Sequence, residues 1–143
     1  MEPADRATQS PRQKNRLWRR VLIIALILGA ASILISLLPK GYSRDLSQIG
    51  KAGNVVVQIH DHNQVSSQLL MDQINKLRSH YEGRVTFLVA DIYTEEGRTF
   101  ADKQDFHSAA LVFFAPNGEQ LTALYGQQEA ETIRQALNEM FHY

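Results

Sequence analysis

Between Asn54 and Tyr93 two apolar stretches flank a helical one, and this arrangement restricts the fold more than any other part of the sequence. The first stretch is Asn54-Val55-Val56-Val57-Gln58-Ile59-His60. The second is Arg84-Val85-Thr86-Phe87-Leu88-Val89-Ala90-Asp91-Ile92, and both have strand length and β-branched content. From about Ser66 to Tyr81, Leu70, Ile74, Leu77 and Tyr81 recur at helical spacing, while Asp72, Asn75, Lys76 and Ser79 fall elsewhere. Gly83 supplies a left-handed stop to that helix. Strand, helix, strand in this order reads as a parallel βαβ unit with a right-handed crossover. Neither strand alternates, so neither leaves a wet face, and helices are expected on both sides of the sheet.

The 143 residues, 44% hydrophobic and 21% charged, allow one ordinary domain and an appendage. From Val21 to Leu38 there is no charge, and Leu17-Trp18 extends the run at one edge. As a helix, Val21 to Leu38 would span about 27 Å, close to the hydrocarbon thickness of a bilayer. A cleaved signal has a shorter apolar core with a small-residue site beyond it, whereas here Gly29-Ala30-Ala31-Ser32 sits mid-run. A core helix would have a polar face, which this run lacks. Residues 17–38 are therefore expected to be a transmembrane helix and the chain's contact with the membrane.

Charge sets the orientation. Before the run lie Arg6, Arg12, Lys14, Arg16, Arg19 and Arg20 against Glu2 and Asp5, a net +4; the remaining nine basic and thirteen acidic side chains give −4. By the positive-inside rule residues 1–16 form a disordered basic cytoplasmic tail. The domain beyond the run lies outside the cytoplasm, in a bacterium the periplasm, with the anchor in the inner membrane. The tail's basic residues, next to the membrane, are expected to fix topology and not to bind nucleic acid.

Residues 39–53, with Gly41, Ser43, Ser47, Gly50 and Gly53, read as a linker with one helical turn near Asp45 to Ile49. The domain proper is 54–143. After the βαβ unit come a short helix within Thr94 to Phe106, then strands at Ala109 to Ala115 and Gln120 to Tyr125 joined through Asn117-Gly118, a hairpin. A last helix, about Gln127 to Phe141, turns Ala130, Ile133, Leu137, Met140 and Phe141 inward.

In this order the chain resembles the thioredoxin family from about Asn54 to Phe141. Tyr81-Glu82-Gly83-Arg84-Val85-Thr86 with Asp91-Ile92 is similar to that family's helix end and next strand. Ala101-Asp102-Lys103 leading to Ala109-Ala110-Leu111-Val112-Phe113-Phe114 is similar to the approach to its proline loop, and the Asn117-Gly118-Glu119 hairpin and final helix fit too. The resemblance implies an α/β fold, a mixed sheet built as βαβ, α, β-hairpin, α, preceded here by the transmembrane helix. It also implies a site. Counting back from Tyr81 puts the family's Cys-Gly-Pro-Cys on Gln64, Val65, Ser66 and Ser67, its preceding tryptophan on Asn63, its buried acid on Gln58, and its cis-proline loop on Ser108, Ala109 and Ala110.

None of the family's chemistry is present at those positions, and the chain has no cysteine. Disulfide exchange needs an attacking thiolate and a resolving thiol, and serine supplies neither. No thiol-disulfide oxidoreductase activity and no cofactor are expected. A peptide bond before Ala109 should be trans. Ser66 or Ser67 with His60 or His62 and Asp61 would be needed for a serine nucleophile, yet no Gly-x-Ser-x-Gly elbow surrounds them, and a serine at a helix start reads as a cap. No glycine-rich phosphate loop precedes a helix. His60, His62 and His107 could approach one another as an open zinc or copper site.

The expected function is a redox-inactive, membrane-anchored binding or scaffolding module whose partner is another envelope protein. Its contact surface would be the relic groove, with Val65 and Ala109 at the rim and Gln64, Ser66, Ser67 and Ser108 offering hydrogen bonds. The competing expectation is a periplasmic metal-binding domain using the three histidines.

Overall fold

A computed structural model describes residues 11–37, 41–106 and 108–143. The chain divides into two compact units, one ending at Lys40 and the other running from Gly41 to Tyr143.

The first unit holds helix α1, Pro11–Leu37. Proline at a helix start and the good helix formers Arg, Gln and Lys let the helix extend upstream of the apolar run, into residues 11–16 that were expected to belong to a disordered tail. Val21, Leu22, Ile23, Ile24, Leu26 and Ile27 are all exposed, so this stretch of α1 has no polar face. Among the described residues no helix is long and apolar enough to cross a membrane. The uncharged run continues through 34–38, whose side chains lie outside the described residues, as do residues 1–10.

The second unit is a four-stranded sheet in the order β2-β1-β3-β4. Its strands are β1 (Asn54–His60), β2 (Val85–Asp91), β3 (Ala110–Phe114) and β4 (Gln120–Tyr125). β1 and β2 run parallel from Asn54↔Val85 to His60↔Asp91. β3 is antiparallel to β1, with Val57 opposite Val112, and β4 is antiparallel to β3 with a bulge at Phe113/Phe114. The helices are α2 (Val65–Arg78, continued by a 3₁₀ turn at Ser79–Tyr81), α3 (Glu95–Lys103) and α4 (Ala130–Phe141).

The absence of alternation in β1 is explained by cover on both sides. Val56, Phe87, Leu111 and Phe113 pack against Leu70 and Ile74 of α2 and Ile133, Leu137 and Phe141 of α4. Val55, Val57, Ile59, Leu88 and Val112 pack on the other face with Ala101 of α3 and Phe106. Each such fully buried aliphatic side chain stabilises the fold by about 1.5–3 kcal/mol before entropy is counted. Tyr81 is buried at the end of α2 and donates its hydroxyl to Asn138 Oδ1 at 2.7 Å, tying α2 to α4.

α3 sits close on the sheet because its first turn carries no side chain at Gly97: a methyl there would overlap the backbone carbonyl of Asp91 at the end of β2. Thr94 caps the helix by accepting the Gly97 N–H at 3.1 Å.

The segment 41–53, read from its glycines and serines as part of a linker, is instead built onto the domain. Tyr42 packs on the α2/α4 core, donates its hydroxyl to Asn75 Oδ1 at 2.6 Å, and lies under the Arg78 guanidinium, 4.5 Å from its ring centroid. Ser43 bridges to Leu88 and accepts the Val89 N–H at 3.0 Å, so it meets the outer edge of β2. Leu46 and Ile49, on and after a 3₁₀ turn at Leu46–Gln48, cover the α3 side of the core. Three apolar side chains in thirteen residues suffice to bind the segment down.

Candidate functional site

β1 delivers His60 to the carboxyl end of the sheet, and the loop 61–64 turns the chain into α2. The four relic positions are then presented in different ways. Gln64 is the extended residue before the helix and makes no side-chain cap. Val65 is 70% exposed, Ser66 is half-buried and Ser67 is 0% exposed.

Ser67 is held by three residues of β1 and its loop. Its Oγ accepts the Asp61 N–H at 3.0 Å and lies 2.9 Å from His60 Nδ1. Its carbonyl accepts Gln58 Nε2 at 2.9 Å. A hydroxyl oxygen has two lone pairs besides its hydrogen, so Ser67 Oγ can take both bonds, and the direction of the one to His60 follows the ring's tautomer. Gln58 is buried, and its Oε1 has no hydrogen-bond partner. The serine expected to cap α2 or to line a groove is therefore an internal strut. It has a histidine beside it, yet no exposure through which a substrate could reach it.

Burial pushes the His60 pKa below its ordinary value, against the opposing pull of the Asp91 and Asp61 carboxylates; His62 and Arg44 push in the same direction as burial. The folded state thus binds its proton less readily than the unfolded one. Its contribution to stability is complete above about pH 6.5 and is lost as pH falls from there through the lowered folded value. Urea midpoints at pH 7.5 and 5 should show a drop on acidification that is smaller in His60→Gln; an equal drop in both would remove His60 from the linkage.

Asp61 organises the loop itself. Its Oδ1 accepts the Asn63 N–H at 2.9 Å and the Tyr93 hydroxyl at 3.1 Å, and its carbonyl accepts the Gln64 N–H at 3.1 Å. The Asn63 N–H bond above all, with help from Tyr93, Gln64 and His62 and against burial, holds its carboxyl below the usual carboxylate range. Asn63 Nδ2 also donates to the Tyr93 hydroxyl at 2.6 Å, and the His62 ring lies 4.2 Å from that of Tyr93. Asp91, paired across from His60, accepts the Tyr93 N–H at 3.0 Å and has Arg44 at 3.5 Å. Asp-x-Asn is a turn signal legible in the sequence, but the role of Tyr93 thirty residues on is not.

On the other side of the relic groove Ser108 is exposed, whereas Ala109 is 1% exposed and Ala110 is equally buried. Ala109 belongs to the buried cluster that α2 and α4 close, and its carbonyl accepts the Gly126 N–H at 2.7 Å. It is core and not rim, because it is the residue that leads directly into the buried strand β3. No cis peptide occurs among the described residues. His107 lies outside them, and among them no three His, Cys, Asp or Glu side chains gather as a metal site. His60 commits Nδ1 to Ser67, and the His62 ring lies tilted against that of Tyr93.

What remains open at this end of the domain is Val65 with Leu69 one turn on, Tyr93 and His62, all exposed. No protein-family model and no curated protein matches the chain. Solved structures do match, among them thioredoxin O2 from Arabidopsis thaliana in its oxidised state, with a TM-score of 0.56 and 16% identity over 67% of this chain and 83% of that one. At such identity the likeness concerns the fold alone. The chain therefore carries a thioredoxin-like α/β fold and, having no cysteine, has no thiol of its own with which to exchange disulfides.

Proposed function

We propose that this chain is a membrane-anchored, redox-inactive thioredoxin-like module that binds another protein of the cell envelope. The observation that carries the reading is the contrast within the relic site: Ser67, in place of a thiol, is sealed and bonded internally, while Val65 in the same helical turn stands 70% exposed, and Tyr93 and His62 are exposed too. Such a site presents a surface and lacks a reactive group. The anchor is supported by the uncharged run from Val21 to Leu38 and by the exposed apolar side chains from Val21 to Leu28. The excess of positive charge before that run supports a cytoplasmic N-terminus and a periplasmic domain.

The test uses the full chain in its native membrane. It should stay with the membrane through carbonate washing and, after mild solubilisation, copurify a second envelope protein. Val65→Glu should lose that partner at least tenfold while shifting stability by no more than about 0.5 kcal/mol, since the site is exposed and an acid suits a helix N-terminus. Release by carbonate would overturn the anchor, and full retention of the partner by the variant would overturn the surface.

A further inference from the structure

The start of α2 is held differently from the rest of the helix. Its first buried apolar side chain is Leu70, followed by Ile74, and both belong to the core that α4 closes. Before them Val65 and Leu69 are exposed and Ser66 is half-buried, and Gln64 provides no side-chain cap. This turn is tied to β1 by polar bonds at Ser67: Gln58 Nε2 donates to its carbonyl at 2.9 Å, and His60 Nδ1 lies 2.9 Å from its Oγ. The loop after β1 adds the Asp61 N–H bond to Ser67 Oγ, and Gln68 Nε2 donates to His62 O at 2.8 Å.

The histidine tie works with a neutral ring. The Gln58 amide is fixed in direction by Ser67 O, since the reversed amide would set two acceptors 2.9 Å apart. Its nitrogen, which only donates, also lies 3.5 Å from His60 Nδ1, so Nδ1 is placed to accept, from the amide and from the Ser67 hydroxyl. An imidazolium carries hydrogens on both nitrogens and accepts from neither. Gln58 is 1% exposed, so an N–H freed there cannot turn to water, whereas the half-buried His60 ring can turn its charge toward solvent.

We propose that protonation of His60 releases the first turn of α2, residues 65–69, from the sheet while the helix from Leu70 onward stays packed. The result is a pH-sensitive latch beneath the surface that carries Val65. Four charged or titratable groups bear on the ring: Asp91 from β2, Asp61 and His62 from the loop, and Arg44 from the segment before β1. The first turn of α2 itself carries no charge. Burial opposes the imidazolium most, with His62 and Arg44 on the same side, against the two carboxylates, so the latch opens below the ordinary histidine value of about 6.5.

Hydrogen exchange on the full chain in mild detergent, at pH 7.5 and 5 and corrected for the intrinsic pH dependence of amide exchange, reads the release. The Ser67 and Gln68 N–H groups both donate to Gln64 O, and their protection should fall at least tenfold on acidification relative to that of Leu137 and Met140 in α4. In His60→Gln that fall should be absent. Should the variant fail to fold, the native chain still decides, because the midpoint of the loss should coincide with the titration of the His60 ring followed by NMR. A fall shared equally by α4, the same fall in His60→Gln, or a midpoint away from the ring's titration would overturn the latch. Copurification plays no part in this measurement, so its failure would bear on the binding surface and not on the latch.

Discussion

Replacing Gly97 with alanine should lower the free energy of unfolding by about 3 kcal/mol or more, the upper end of what overpacking does. The added methyl would meet the Asp91 carbonyl, which is backbone and not the movable end of a side chain. That carbonyl also accepts the Thr94 N–H at 3.0 Å and the Thr94 hydroxyl at 2.8 Å, so lifting α3 away disturbs the helix cap as well as the packing. Alanine's better helix propensity offsets at most about 1 kcal/mol. Urea titration of the full chain in mild detergent measures the loss; Arg98→Ala, on the exposed side of the same turn, is the control and should change little. A loss below about 1 kcal/mol for Gly97→Ala would mean that α3 shifts freely on the sheet and is not held close at its first turn.

Ala109→Arg should be more damaging still, with a loss of about 4 kcal/mol or more and unfolding near ambient temperature in a domain of ordinary stability. The side chain is 1% exposed and belongs to the core cluster that α2 and α4 close, so an arginine there has neither room nor water. Ala109→Ser, small enough to be housed, provides a graded second point and should cost about 1–3 kcal/mol as a buried hydroxyl. Thermal melts monitored by circular dichroism give both values. The comparison with Val65→Glu separates the two walls of the relic groove, one core and one surface. Near-neutral behaviour of Ala109→Arg would restore Ala109 to the rim.

The order of elements was legible because it depends on local pattern. Val55 to Ile59 and Val85 to Ala90 form unbroken apolar runs, Leu70 and Ile74 repeat at helical spacing, and Asn117-Gly118 marks the hairpin. What stayed hidden depends on contacts between distant residues. Tyr42 to Asn75 and Ser43 to Val89 turn an apparent linker into part of the domain, and no composition of 41–53 reveals them. At the site, counting from Tyr81 located Ser67 but not its burial, and a loop position beside a relic groove gave Ala109 the wrong exposure. His62 and Tyr93 meet only because β1 and β2 end at the same level, a matter of strand register.

The fastening of residues 41–43 also has a mechanical side. Tension passed down the chain from residue 40 enters the domain at Gly41, whose carbonyl accepts Arg78 at 3.4 Å, then reaches the Tyr42 ring and the Ser43 bridge to β2. Because Ser43 pairs parallel to β2, a backward pull loads that contact in shear along the strand and does not peel it open. Under such a load these contacts come before β1 along the chain, so they would have to break before tension reached the strands at the centre of the sheet.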